Sequence, residues 1–472
     1  MAFVFTIFAF ESRQLTRSRL LLFLCAFIFF SGMYGLINGR ALIGLQQAAI
    51  DSIQTVQRQH YTAMVERFHE DTTTRTGKQL RAQAGIPQVV EFRDPPYTTF
   101  PPAGLSLMAI GLRDLHPFYD IIGSKESKTG DQATEFSNAE KLAAGTFDVA
   151  FVYIYLFPLL IIFYNYNCLS GEREAQTIPL LILHTGGLQR LFFWRFVFRF
   201  TVVFLLGALL LAAGLIMTPA GGSFPFLNSV LWLLFLGGYF FYWFAVCWLV
   251  IRFERSSTWN ITCLGFIWLF FVWILPATIN SYTNLRAPVP LRSGLVAAQR
   301  RLKEATWELP VPVLLDSFYY YNPQYQHLRK ITDTAAYGNP RFLAYNDLLG
   351  RRNERLERVF DMQLQKRSHL LHLSLYVNPV SYTQYYLHAL AGTELSDFDD
   401  YHLQVQRFRK RWQSLMTSYL INQKMFSEED LKHLPRFLYQ PPPDRGYICN
   451  LFYLVIISGL IILIAQFTRQ LQ

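Results

Sequence analysis

The chain has 472 residues, of which 52% are hydrophobic, 16% aromatic and only 16% charged, against about 25% charged in a typical soluble domain. The apolar excess is concentrated in runs longer than a water-soluble core requires, which excludes a single large soluble enzyme. Lys plus Arg exceed Asp plus Glu by 43 minus 33, a net charge of +10, and the placement of that charge decides its meaning.

The opening stretch, residues 2–10, is apolar but too short to cross a bilayer, and Glu11, Arg13, Arg17 and Arg19 follow it. Residues 1–19 are read as a cytoplasmic interfacial helix with its aromatic side chains among the acyl chains. A span needs about 20 mainly apolar residues. Six stretches qualify: 20–37, 147–166, 196–217, 227–251, 259–279 and 447–467. No small-residue cleavage site follows the first, so it is read as a retained anchor. None carries a charge near its middle, which argues against an ion channel or secondary transporter.

Orientation follows from the short loops. Arg173, Arg190, Arg195 and Arg199 flank the turn between the second and third spans, Arg252 and Arg255 follow the fourth, and Arg469 follows the sixth, whereas the turn 218–226 has no charge. With basic residues on the inside, both termini are cytoplasmic, the tail 468–472 included. Segments 40–146 and 280–446 then lie outside, with mixed charges typical of a solvated surface, so no nucleic-acid partner is expected. Residues 46–81 continue the first span as a helix, and 86–102, rich in Pro and aromatics, is expected to be irregular or extended. In the second segment, 345–376 and 397–420 show helical spacing, with Leu348, Leu349, Leu356, Val359, Phe360, Met362 and Leu364 as an apolar stripe. The fold class is therefore an all-α polytopic membrane protein: six spans, an amino-terminal interfacial helix and two mainly helical extracytoplasmic segments forming a cap.

Chemistry is sparse. Cys25, Cys168, Cys247, Cys263 and Cys449 lie in or beside spans, so neither outer segment has an internal disulfide. No G-x-x-x-x-G-K-[ST], H-E-x-x-H, C-x-x-C or G-x-S-x-G occurs, so this chain is not read as an enzyme and has no cofactor of its own. His369 and His372, with His388 or His402, could share a metal, but surface histidines are favoured. His69-Glu70-Asp71 reads as solvated helix. Tyr319-Tyr320-Tyr321 and Tyr382, Tyr385 and Tyr386 read as packing before they read as a substrate groove.

The loop 169–194 is more informative; Ser170 to Trp194 reads SGEREAQTIPLLILHTGGLQRLFFW. Glu172, Arg173 and Glu174 precede Thr177, a candidate cap for a short helix that tolerates Pro179 in its first turn and stops at Gly186-Gly187. Ile178, Leu180, Leu181, Ile182 and Leu183 make that helix too apolar for water and too short to span. It lies on lipid headgroups or docks into a groove of a cytoplasmic protein, and the charged cluster favours docking.

Ser170–Leu183, with Pro158 in the second span and Glu11, Arg13, Arg17 and Arg19 in the interfacial helix, resembles the permeases of type-2, or exporter-class, ABC transporters, whose inner loop reads S-G-E-R-E-x-G-T-L-x-L-L-L. Three positions depart from the pattern: Gln176 replaces the usual Gly, the Pro after the Leu run is absent, and Arg195 replaces a Lys. The run LHALAGTELSDFDDYHLQVQRFRKRW after Pro379, followed by LPRFLY, resembles a periplasmic domain of unknown function in one bacterial branch of these permeases. The resemblance implies a permease subunit in the bacterial inner membrane. Its partners would be cytoplasmic ABC ATPase subunits, which hold ATP and Mg, and a second permease chain, identical or related. It gives an ATPase-coupling role to Glu172, Arg173, Glu174, Thr177, Ile178, Leu180 and Leu181, with Glu11 and Arg13. Two rivals stand beside export: mechanotransmission to an envelope partner with no cargo crossing, and a membrane scaffold or sensor.

Overall fold

The computed structural model describes residues 2–124, 147–185, 188–218, 226–288, 292–329, 340–442 and 447–467. Helix α1 (Ala2–Arg17) stops one residue before Ser18, whose hydroxyl accepts the Leu21 N–H at 3.4 Å and opens α2 (Arg19–Phe68). At 50 residues, α2 is about 75 Å long, more than twice a bilayer's hydrocarbon thickness. Thr74 caps α3 (Arg75–Ala84), and Pro87 opens α4 (Pro87–Arg93), which ends at Asp94-Pro95-Pro96. Strand β1 (Tyr97–Thr99) pairs antiparallel with β2 (Tyr119–Ile121). The stretch 86–102 is thus more ordered than its composition suggests, because its prolines fall at element ends.

Beyond Asp148, a helical turn (Val149–Phe151) passes through a π-helical turn (Val152–Leu156) into α5 (Phe157–Asn165). Helices α6 (Ser170–Glu174) and α7 (Ile178–Thr185) form the loop, and α8 (Leu188–Met217) and α9 (Phe226–Ile251) follow. Next, α10 (Ser257–Leu269) continues through a second π-helical turn (Phe270–Ile274) into α11 (Leu275–Arg286). The rest is α12 (Arg292–Trp307), α13 (Val311–Tyr321), a 3-10 turn (Pro323–Leu328), α14 (Pro340–Leu375), α15 (Pro379–Leu390), α16 (Leu395–Ile421), α17 (Glu428–Lys432) and α18 (Tyr447–Phe467).

Among the described residues, six helical stretches are long and apolar enough to cross a membrane: Arg19–Phe68, Val149–Glu174, Gln189–Met217, Phe226–Ile251, Ser257–Arg286 and Tyr447–Gln466. Both π-helical turns sit just before a proline, and a neighbour satisfies a carbonyl at each. Pro158 has no N–H for the carbonyl of Ile154, four residues earlier, and the Tyr239 hydroxyl donates to it at 2.7 Å. Near Pro276, the Asn378 side-chain amide donates to the Phe271 carbonyl at 2.9 Å. Asn378 also caps α15, so the start of that helix is pinned to the π turn before α11.

Three clusters hold the molecule. The largest joins α2, α5, α8 and α9 and takes in Tyr382, Tyr386 and Leu387 of α15, with Tyr386 stacked on Phe235 at 5.1 Å. These tyrosines are therefore packing residues. A second core draws on both polar segments: Met64, Val90 and Phe100 from the first pack against Phe398, Tyr401 and Trp412 of α16. The third packs α13 on the first turns of α14 through Leu314, Phe318, Tyr345 and Leu348. The stripe expected on α14 is core only at Leu348 and Leu349; Leu356 and Phe360 are half-buried, and Val359, Met362 and Leu364 are exposed.

Asp94, at the end of α4, is partly buried, and one of its carboxylate oxygens has no hydrogen-bond partner among the described residues. Burial pushes its carboxyl from 3.8 up to about 6, against the opposing pull of His60 and Arg436. The folded state then binds this proton more tightly than the unfolded chain, so stability falls as pH rises from about 4 through 6. Asp94→Asn is expected to raise the thermal midpoint above about pH 7 and to change it little near pH 4.5. A lower midpoint at the higher pH would mean that His60 and Arg436 more than offset the burial.

Candidate functional site

The site is assembled where α1, the loop helices and the start of α8 meet. On α1, Ile7 and Glu11 lie one turn apart on the face turned toward α8, and Phe8 meets Trp194 and Phe198 edge-on. On α8, Arg195 and Arg199 share the answering face, again one turn apart. Glu11 is 0% exposed, Arg195 3% and Arg199 2%. Arg199 Nε donates to Glu11 Oε2 at 2.8 Å, and Arg195 Nε lies 3.3 Å from Glu11 Oε1. Arg195 then reaches the loop, with both terminal nitrogens 2.9 Å from Glu172 Oε1. The other Glu172 oxygen accepts the Thr177 hydroxyl, and Arg199 donates to the Tyr164 carbonyl and stacks 4.8 Å above the Tyr164 ring.

Two guanidinium groups and two carboxylates thus neutralise one another across three elements, α1, α6 and α8. Burying such charges is costly unless each is paired and hydrogen-bonded. Each member here has an opposite charge within 3.3 Å, although Arg195 Nε itself makes no hydrogen bond among the described residues. Cutting Glu11 leaves Arg199 buried without its carboxylate, while Arg195 keeps Glu172.

The other loop charges are exposed but also bond within the chain. Glu174 accepts the Ser257 backbone N–H at 2.8 Å and its hydroxyl at 3.0 Å, Arg173 donates to the Glu254 carbonyl, and the Ser170 and Ser257 hydroxyls lie 2.8 Å apart. Glu172 therefore ties the loop to α8, while Arg173 and Glu174 tie it to the start of α10. Thr177 uses its hydroxyl on Glu172. Ile178 and Leu181 are half-buried, Leu180 is 60% exposed, and Arg13 is exposed on α1. Gly186-Gly187 and the side chains of Ile182 and Leu183 lie outside the described residues. Gln176 adopts φ 57°, the left-handed conformation that glycine takes without steric cost.

Sequence reasoning grouped Glu172, Arg173 and Glu174 with Glu11 and Arg13, and the structure joins Glu11 to Glu172 through Arg195. It counted Arg195 and Arg199 as topology markers, and Arg195 also as the replacement of a Lys, without pairing either with an acid. Two arginines one turn apart at the start of an apolar helix, with no acid on that helix, were the available clue. No group of three metal-ligating side chains occurs among the described residues. His372 packs against the rings of Tyr376 and Tyr385, and His69 Nε2 lies 3.1 Å from Glu428 on the surface.

The fold and site define a helical protein with several apolar helices of membrane-crossing length and a charge-paired junction at one end. Residues 294–440 match the family described as Domain of unknown function (DUF3526). No curated protein and no solved structure matches the chain.

Proposed function

We propose that this chain is the permease subunit of an ATP-driven exporter of the ABC type in a bacterial inner membrane. In this reading the six apolar helices span, both termini are cytoplasmic, and separate ATPase subunits hold ATP and Mg. A second permease chain, identical or related, completes the pathway. The observation that carries it is the buried ion-pair network: Glu11, Arg195, Arg199 and Glu172 join the interfacial helix, the inner loop and one span into a unit that moves together. A push on α7 reaches α8 through Glu172 and α10 through Glu174. The charged residues transmit within the chain, and the exposed face of α7, led by Leu180, is the part offered to the ATPase.

Mechanotransmission is the second reading, favoured by α2. One unbroken helix runs from the network's end of the molecule to Met64 in the far core, so a tilt at one end is delivered to the other without any cargo path.

Leu180→Asp tests the docking face. Its side chain is exposed, so folding is expected to be unaffected. Affinity purification in mild detergent is expected to recover an ATPase subunit with the wild-type chain and at least tenfold less with the variant. Equal recovery from both would remove α7 as the docking element. If several detergents yield no ATPase even with wild type, the scaffold reading takes precedence.

A further inference from the structure

At the end of the molecule away from α1, a cleft of about 1620 Å³ separates two packed bodies. One wall is α16. Its apolar face, including Phe398, Tyr401 and Trp412, is spent on the second core, while Gln406, Lys410, Gln413, Ser414 and Thr417 on its other side line the cleft. The facing wall is α14 from Phe342 to Asp361, whose lining residues recur at helical spacing. Lys410 Nζ meets Glu354 Oε1 across the gap at 2.6 Å. These faces point at each other without packing, and the space between them exceeds the roughly 300–1,000 Å³ of small-ligand pockets.

Shape and chemistry narrow the occupant. The stretch of α14 along the cleft is about 28 Å long at 1.5 Å per residue, which gives a mean cross-section of roughly 60 Å². An extended chain of about eight residues fits that length at about 3.4 Å per residue. Cations and carboxylates alternate around the lining, and Arg351, Arg409 and Lys410 are paired with Asp347, Asp120 and Glu354, so the walls are mixed in charge rather than uniformly basic. The Gln406 amide carries a donor and an acceptor, as a peptide group does. Aliphatic Val89, Ile121, Leu343 and Leu420 also line the space; they suit alternate side chains and have no match on a hydroxyl-covered glycan.

The strand edge settles the choice. Phe100 N–H bonds the Phe118 carbonyl at 2.7 Å and Ile122 N–H bonds the Pro96 carbonyl at 2.8 Å. The backbone groups of Phe118 and Ile122 therefore face β1, and those of Tyr119 and Ile121 face away from it. Among the described residues no strand pairs with that edge of β2, and Ile121 and Ile122 lie in the cleft wall. We propose that the cleft binds an extended polypeptide segment, which adds as a third strand to that edge of β2. This goes beyond the permease reading and does not depend on ATPase coupling.

The test uses the full chain in detergent without nucleotide, and fluorescently labelled, reduced and carboxymethylated α-lactalbumin as an unfolded polypeptide, read by anisotropy. Ser414→Trp places a large ring in the cleft from an exposed position. Ile121→Pro removes an N–H that β1 does not use, a change an edge strand tolerates. Saturable binding to wild type is expected, at least fivefold weaker in each variant, with thermal midpoints little changed and no competition from the uncharged glycan chitohexaose. The proposal is overturned by absence of saturable binding, by unchanged affinity in Ser414→Trp, or by competition from chitohexaose. A loss in Ser414→Trp but not in Ile121→Pro overturns strand addition. Should Ile121→Pro fail to fold, Ser414→Trp decides alone.

Discussion

Glu11→Gln is expected to cost about 3–5 kcal/mol of stability, the scale for breaking a buried ion pair from one side. The amide keeps the shape but removes the charge that Arg195 and Arg199 share, and both guanidinium groups remain buried. Arg195 retains Glu172, so Arg199 is left more exposed to the loss, with the Tyr164 carbonyl and ring as its remaining partners. The midpoint of thermal unfolding in detergent should fall well below that of Arg13→Gln, a change on the exposed face of the same helix. Limited proteolysis should cut between α1 and α2 earlier than in wild type. The double variant Glu11→Leu, Arg199→Leu should recover much of the loss, because replacing a buried pair with apolar groups is often near neutral. If Glu11→Gln proves as mild as Arg13→Gln, the network does not hold α1 in place. In the permease reading, variants that fold but lose these pairs should also lose coupling between nucleotide hydrolysis and the movement of α8.

The apolar runs were legible in sequence because they rest on composition over about 20 residues, which local context cannot disguise. The extension of α2 was legible as far as Phe68, where helical spacing continues through Ile53, Val56, Met64 and Val65. The single helix expected over 46–81 breaks at 69–74, His69-Glu70-Asp71 included, and Thr74 caps a separate helix, α3. The direction in which Glu172 and Glu174 point was not legible. Their partners, Arg195 and Ser257, lie 23 and 83 residues away, and a charged cluster that serves its own chain has the same letters as one that serves another. The faces of α16 show the same limit. The apolar stripe announces a core, while the polar stripe of Gln406, Lys410, Gln413 and Ser414 reads as ordinary solvated surface until α14 is placed opposite it. Val359 and Met362 mislead in the other direction, since helical spacing cannot reveal which face of that part of α14 its neighbours cover. Gln176 is a further case: the position is left-handed, and only comparison with a pattern that has glycine there hints at it.

The second large effect lies at Gly39, and it should reverse sign within one helix. A Cβ added at Gly39 would fall on the Leu107 carbonyl, and its nearest atoms are all Leu107 backbone, which cannot rotate aside. One turn earlier, a Cβ at Gly35 would come within 2.8 Å of the Asp148 carbonyl carbon, so this glycine face is what lets α2 approach both the 105–110 stretch and the start of the second apolar helix. Those two pieces are joined by the Ala150 N–H to the Met108 carbonyl at 2.9 Å and by the Ile110 N–H to Asp148 Oδ2 at 2.9 Å. The Asn38 amide on the Phe147 carbonyl at 2.9 Å locks α2 to them. Gly39→Ala must therefore separate α2 from this junction, and the overpacking penalty of about 1–3 kcal/mol should outweigh the helix-propensity gain of about 1 kcal/mol. At Gly44, five residues further along, an added Cβ meets nothing within 4 Å. Gly44→Ala is accordingly expected to stabilise α2 by up to about 1 kcal/mol. Thermal unfolding of the two variants side by side checks this; a shift of the same sign in both would mean that the contact of α2 with Leu107 does not hold the two polar segments to the apolar bundle.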